Sequence, residues 1–200
     1  MTFPVTQKAG TIVRHIELPS SRHLILVNND LLSEPVDCIV NPANGGLSHG
    51  GGLAAQIAIA AGEALENEGS EIVKNKGRIP TGQAVATNAG NLKFKGVIHA
   101  IGPCVGQGNE LELLVSAIYN SLVIANENDW SSISIPGISS GIFSVPLEIC
   151  SKGYILGIIK LLREFPETNL KIIRICLLQG KLLDLVSQEI DKRKEIFREL

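Results

Sequence analysis

The chain has 200 residues, 44% hydrophobic and only 4% aromatic, with 20 glycines and 18 Lys+Arg against 20 Asp+Glu for a net charge of -2. A chain this apolar and this long is not disordered and can bury the core of a single domain. The near-neutral balance argues against a grip on nucleic acid, which needs a net basic face, and no apolar run approaches the roughly 20 residues that span a bilayer.

Met1–Gly10 lacks a basic start followed by an apolar run, so no signal peptide is expected and the chain reads as cytoplasmic or nuclear. Thr11–Leu18 alternates loosely, as an edge strand would. Leu24–Val27, Cys38–Val40, Ala84–Thr87, Val97–Ala100, Ile133–Ile135 and Ile172–Leu178 read as strands, several without the polar face that a solvated strand would show. Leu53–Ala61 is rich in Ala and Ile, and its lack of a polar face predicts a helix buried against the sheet. Leu111–Ala125 sets Leu114, Val115, Ile118 and Leu122 at helical spacing. Pro146 suits the first turn of a helix running to about Leu162, and a last helix carries Leu182, Leu183, Val186 and Ile190 on one face. Asp191–Leu200 is dominated by charge and is expected to be a solvated, fraying helical end.

Short apolar runs alternating with longer amphipathic stretches define an α/β domain over residues 21–190, preceded by a segment over 1–20 and followed by the charged end over 191–200. Cys38, Cys104, Cys150 and Cys176 form no CxxC pair and read as buried free thiols, so no metal is expected.

Ligands of such sheets bind at the carboxyl ends of strands, and three loops there carry chemistry. Asn28-Asn29-Asp30-Leu31 offers a carboxylate that either accepts from an exocyclic amine or caps a turn. Asn41-Pro42-Ala43-Asn44-Gly45-Gly46-Leu47-Ser48-His49-Gly50-Gly51-Gly52 precedes a helix. Its three final glycines let backbone approach a phosphate, and the helix N-terminus favours negative charge. It lacks the lysine of a P-loop. Pro136-Gly137-Ile138-Ser139-Ser140-Gly141-Ile142-Phe143 contains G-x-S-x-G, but no histidine follows Ser139, so the nucleophile-elbow reading fails and an anion-facing loop of small residues is preferred. Two anion-friendly loops and one acidic loop point to a nucleotide diphosphate.

These segments, together with Val97-Ile98-His99-Ala100-Ile101-Gly102-Pro103, resemble the macro domain, most closely the coronavirus macro domain and the first macro domains of interferon-inducible ADP-ribosyltransferases. The resemblance covers about Leu24–Leu185. It implies a three-layer α/β/α fold with a mixed, mostly parallel six-stranded sheet, and a monomeric module that binds ADP-ribose and mono-ADP-ribosylated proteins without any cofactor. By position, Asp30 and Leu31 would meet adenine, and Gly50, Gly51, Gly52 and Leu53 would face one side of the diphosphate. Ser139, Ser140, Gly141, Ile142 and Phe143 would close over its other side, and Leu178 would lie against the base with area but no π face. Asn44 would hold the distal ribose, with His49 and Phe143 bordering it; these three are the candidate catalytic residues. The implied reaction is attack by water at the anomeric carbon, assisted by the substrate's own phosphate. Ala54 stands where one bacterial and mitochondrial hydrolytic branch has Asp, as it does in the coronavirus-like branch. The implied alternative is a reader that binds without turnover.

Overall fold

The computed structural model describes residues 10–200; the expectation about the chain start falls on residues 1–9, outside that range. Seven strands form one sheet: β1 (Thr11–Leu18), β2 (Arg22–Asn28), β3 (Cys38–Ala43), β4 (Ala84–Thr87), β5 (Gly96–Ile101), β6 (Ser132–Ile135) and β7 (Ile172–Leu177). Their order is β1-β2-β7-β6-β3-β5-β4, with the five inner strands parallel and both edge strands antiparallel. The resemblance implied six strands; the seventh is β1, which pairs with β2 as the loosely alternating edge strand that its sequence suggested. Inner strands are mostly apolar without a solvated face because helices cover both sides, and every residue of β5 is buried, His99 included.

The helices are α1 (Gly52–Ala61), α2 (Glu63–Lys76), α3 (Glu110–Glu127), α4 (Leu147–Glu164), α5 (Lys181–Lys192) and α6 (Lys194–Arg198). Ile57, Ala61 and Leu65 from α1 and α2 pack on Val27, Ile39 and Val97 on one face. On the other face, Leu114 and Ile118 of α3, Tyr154 and Ile158 of α4 and Leu183 of α5 pack on Leu24, Val40 and Ile98. That division makes the three layers. No helix among the described residues is long and apolar enough to cross a membrane.

Three expectations are corrected. α1 is not buried all round: Ile57, Ala58 and Ala61 face the sheet, whereas Ile59 is 82% exposed. Its apolar composition is uniform because small residues suit close packing on one side and are tolerated on the other. The charged end does not fray into solvent, since Phe197 of α6 is buried and the Arg22 guanidinium donates to the Leu200 carbonyl at 3.1 Å. Finally, all four cysteines are free thiols, but Cys104 is exposed.

Candidate functional site

Strand order gives the site its direction. β2, β7, β6, β3 and β5 are parallel neighbours, so their carboxyl ends form a row along one edge of the sheet. Asp30 follows β2, Leu178 follows β7, the Gly137–Phe143 loop follows β6 and the Asn44–Gly51 loop follows β3. At ~4.8 Å between strands, the step from β2 to β3 is about 14 Å, a length suited to an extended ligand.

Two cavities lie along this row. One, of about 390 Å³, is lined by Asn44, Ser48, Gly50, Gly51, Gly52, Leu53 and Ala54 on one wall and by residues 137–143 on the other. The second, of about 380 Å³, is lined by Asn29, Asp30, Leu31, Gln56, Cys176, Leu178 and Leu182 among others. Gly52, Leu53, Gly137 and Ser140 border both, so the cavities are the two ends of one cleft with a waist between them.

The waist is built from backbone. α1 starts after Gly51 without any side-chain cap, leaving its first amides free, and those amides carry the positive end of the helix dipole. Gly52 has φ 61°, a left-handed conformation that favours glycine. A Cβ on Gly51 or Gly52 would stand 3.7 Å from Cδ1 of Ile142, which reaches across the cleft from the opposite wall and is 79% exposed. That wall is held from below: the buried Tyr154 hydroxyl donates to the Pro136 carbonyl and accepts from the Ile138 amide, both at 2.6 Å. Ser139 also has a left-handed φ of 63°. Its Oγ is buried and has no hydrogen-bond partner, so no base activates it as an esterase nucleophile.

At the β2 end, Asp30 caps a short 3-10 turn over Leu31–Ser33, its Oδ1 accepting from the Leu32 amide at 3.1 Å. The carboxylate is exposed and lines the second cavity, so capping leaves it available to a ligand amine. Behind it, the buried Glu34 carboxylate accepts from Asn29 Nδ2 (2.7 Å), Ser134 Oγ (3.0 Å) and the Arg174 guanidinium. This network pins the acidic loop to β6 and β7. Leu178, 74% exposed, forms part of the same cavity.

At the β3 end, Asn44 folds its own loop. Its Oδ1 accepts from the Gly46 amide at 3.0 Å and its Nδ2 donates to the Ser48 carbonyl at 2.7 Å. Phe143 lines this cavity. His49, expected to border the distal ribose, lines neither cavity. Its ring instead stacks on His99 with centroids 5.4 Å apart, and Asn41 Nδ2 donates to Nδ1 of both rings, at 3.3 Å to His49 and 3.0 Å to His99. Asn41 and His99 are register partners on β3 and β5, which sets their side chains together on one face. The Thr87 hydroxyl donates to the Asn88 carbonyl, so it accepts from His99 Nε2–H at 2.9 Å. Burial, with His49 alongside, pushes the His99 pKa down to about 3, and burial also lowers that of His49. Both rings are neutral at neutral pH.

Every other candidate residue borders the cleft. Missed were Ser48, Gln56, Cys176 and Leu182. Gln56 lies three residues after Leu53 on α1, so helical spacing could have found it. Tyr154, Glu34 and Arg174 are supports with no sequence signal, being single polar residues amid apolar or loop sequence.

The family model for the macro domain matches residues 40–153, more than half of the chain. A macro domain-containing protein of Listeria monocytogenes is 35% identical over 170 residues, which are 84% of this chain and 97% of that protein. A Thermotoga maritima protein is 46% identical over 153 residues, 76% of this chain but only 26% of the longer relative. Among solved structures, the Oceanobacillus iheyensis macrodomain with ADP superposes with a TM-score of 0.83 at 27% identity, covering 94% of this chain and 98% of that one. A mutant of the same macrodomain was solved with ADPR, that is, ADP-ribose. The chain belongs to the macro domain family.

Proposed function

We propose that the chain binds ADP-ribose and hydrolyses mono-ADP-ribose from acidic side chains of modified proteins. The observation that carries the binding is the two-ended cleft with a backbone waist: an acidic acceptor at one end, free helix amides in the middle and a carboxamide at the other. Adenine lies by Asp30 and Leu178, the diphosphate at Gly51–Leu53 and Ser139–Phe143, and the distal ribose against Asn44 and Phe143. His49 acts at one remove, by fixing the loop between Asn44 and Gly50.

No ionisable side chain lines the cavity at the Asn44 end. The reaction therefore draws its base from the substrate. Water oxygen bonds to the anomeric carbon, the bond from that carbon to the ester oxygen breaks, and the carboxylate leaves with the electron pair while a substrate phosphate oxygen takes the water's proton. The alternative, a reader without turnover, is supported by the closed hydrogen bonding of Asn44 within its own loop.

The test is incubation with a transferase labelled on Glu or Asp, alongside calorimetry with ADP-ribose. Loss of label with binding is expected; label retained at enzyme excess, with binding intact, would leave the reader. In Asn44→Ala, kcat should fall by about 10²-fold with a much smaller loss of affinity, whereas equal losses would mean uniform binding.

A further inference from the structure

Against the Asn44–Gly46 turn, outside the residues that line the cleft, stands a cation that takes part in no ion pair among the described residues. α2 ends at Lys76, and Gly77, with a left-handed φ of 78°, turns the chain while its amide closes on the Val73 carbonyl. Lys74 and Lys76 lie in the last turn, where terminal carbonyls attract positive charge, so the helix accounts for them. Arg78 is beyond the helix, and the helix does not account for it. The Ile79 amide donates to the Gly45 carbonyl at 2.8 Å, laying this segment along the Asn44–Gly46 turn. Arg78 Nη1 is 2.9 Å from where a Cβ on Gly46 would sit, and Asn44 Oδ1 is 3.4 Å from that same point. The guanidinium thus lies against the turn at Gly46. Arg78 is exposed, and among the described residues it takes part in no ion pair. Val105 and Ile142 are exposed too, and the Val105 amide donates to the Phe143 carbonyl at 2.8 Å, joining both to the wall that faces Asn44.

We propose that Arg78 is a docking contact for the modified protein, pairing with an acidic side chain that flanks the ADP-ribosylated residue while Val105 and Ile142 meet apolar parts of the same segment. The inference rests on the reading that the distal ribose, and hence the attached protein, lies at Asn44. Charge complementarity selects the occupant: an unpaired guanidinium beside the ribose end favours an anionic neighbour. A free ligand that ends at the ribose brings no such carboxylate.

Two synthetic peptides test it, each carrying mono-ADP-ribose through a non-hydrolysable amide link, one flanked by Glu and Asp and the other by Gln and Asn. By calorimetry at low salt, the native protein should bind the acidic peptide about two- to five-fold more tightly, the yield of an exposed ion pair. Arg78→Gln should abolish the preference and Arg78→Glu reverse it, with Lys74→Glu retaining it and free ADP-ribose binding equally to all. Equal affinity of the native protein for both peptides, a preference that survives Arg78→Glu, or one lost equally in Lys74→Glu would overturn the inference. Failure of the native protein to bind free ADP-ribose would instead overturn the reading on which it rests.

Discussion

His99 and Tyr154 carry polar atoms into the core with partners in place, and each holds a piece of the cleft. Their chemistry makes different demands on solution conditions. An unfolded histidine titrates near 6.5, but His99 stays unprotonated until about 3 because burial penalises its charge. Between those values the unfolded chain binds the extra proton. Stability is therefore complete above about 6.5 and falls as pH drops below it, with a limiting slope of about 1.4 kcal/mol per pH unit for one proton. His49 adds in the same direction. Urea unfolding between pH 7 and 4.5 should show this decline, and His99→Asn should flatten it; an unchanged slope would assign acid sensitivity to other groups.

The elements that bear the cleft depend on buried charge at one point. Arg174 on β7 neutralises Glu34, which lies at the end of the turn capped by Asp30. Arg174→Met should cost about 3–5 kcal/mol in chemical denaturation by leaving that carboxylate buried and unpaired, and Glu34→Gln in the same chain should recover much of it. None of this was legible in the sequence, where Ser33-Glu34-Pro35 is an ordinary loop and Arg174 interrupts an apolar strand. The strands themselves were legible because burial on both faces leaves short, mostly apolar runs such as Gly96–Ile101, broken only by His99. α2 was not, since only Leu65 and Gly69 of its 14 residues are fully buried and Glu63, Glu66 and Glu71 dominate its exposed side. The glycine loops were legible as walls of a cleft, because glycines between a strand and a helix bring main chain to the surface of a site. The turning away of His49 was not, because it depends on Asn41 and His99 meeting across two strands 58 residues apart in sequence.

At the scale of the whole molecule, the charged end closes the fold rather than trailing from it. α6 packs beside β1, and Phe197 joins the larger core cluster that contains Leu24, Tyr154 and Ile190. Its charges hid this, since one aromatic among seven ionisable residues gives no periodic signal. Phe197→Ala should lower stability by about 3–5 kcal/mol, measurable by denaturant midpoint; a loss within ±0.5 kcal/mol, typical of a surface site, would restore the frayed end. The waist of the cleft has a different kind of consequence, one for how the molecule can vary. Its walls at Gly52 and Gly137 are main chain: a side chain at Gly52 would be strained by a φ of 61°, and a Cβ at Gly137 would press on Ser140 Oγ at 3.0 Å. On the reading proposed above, variation in ligand preference falls to the two ends, Leu178 and Gln56 changing the fit to a base and Arg78 and Val105 the fit to what hangs from the ribose. The two glycines of the middle act as a gauge, and adaptation falls to the side chains around them.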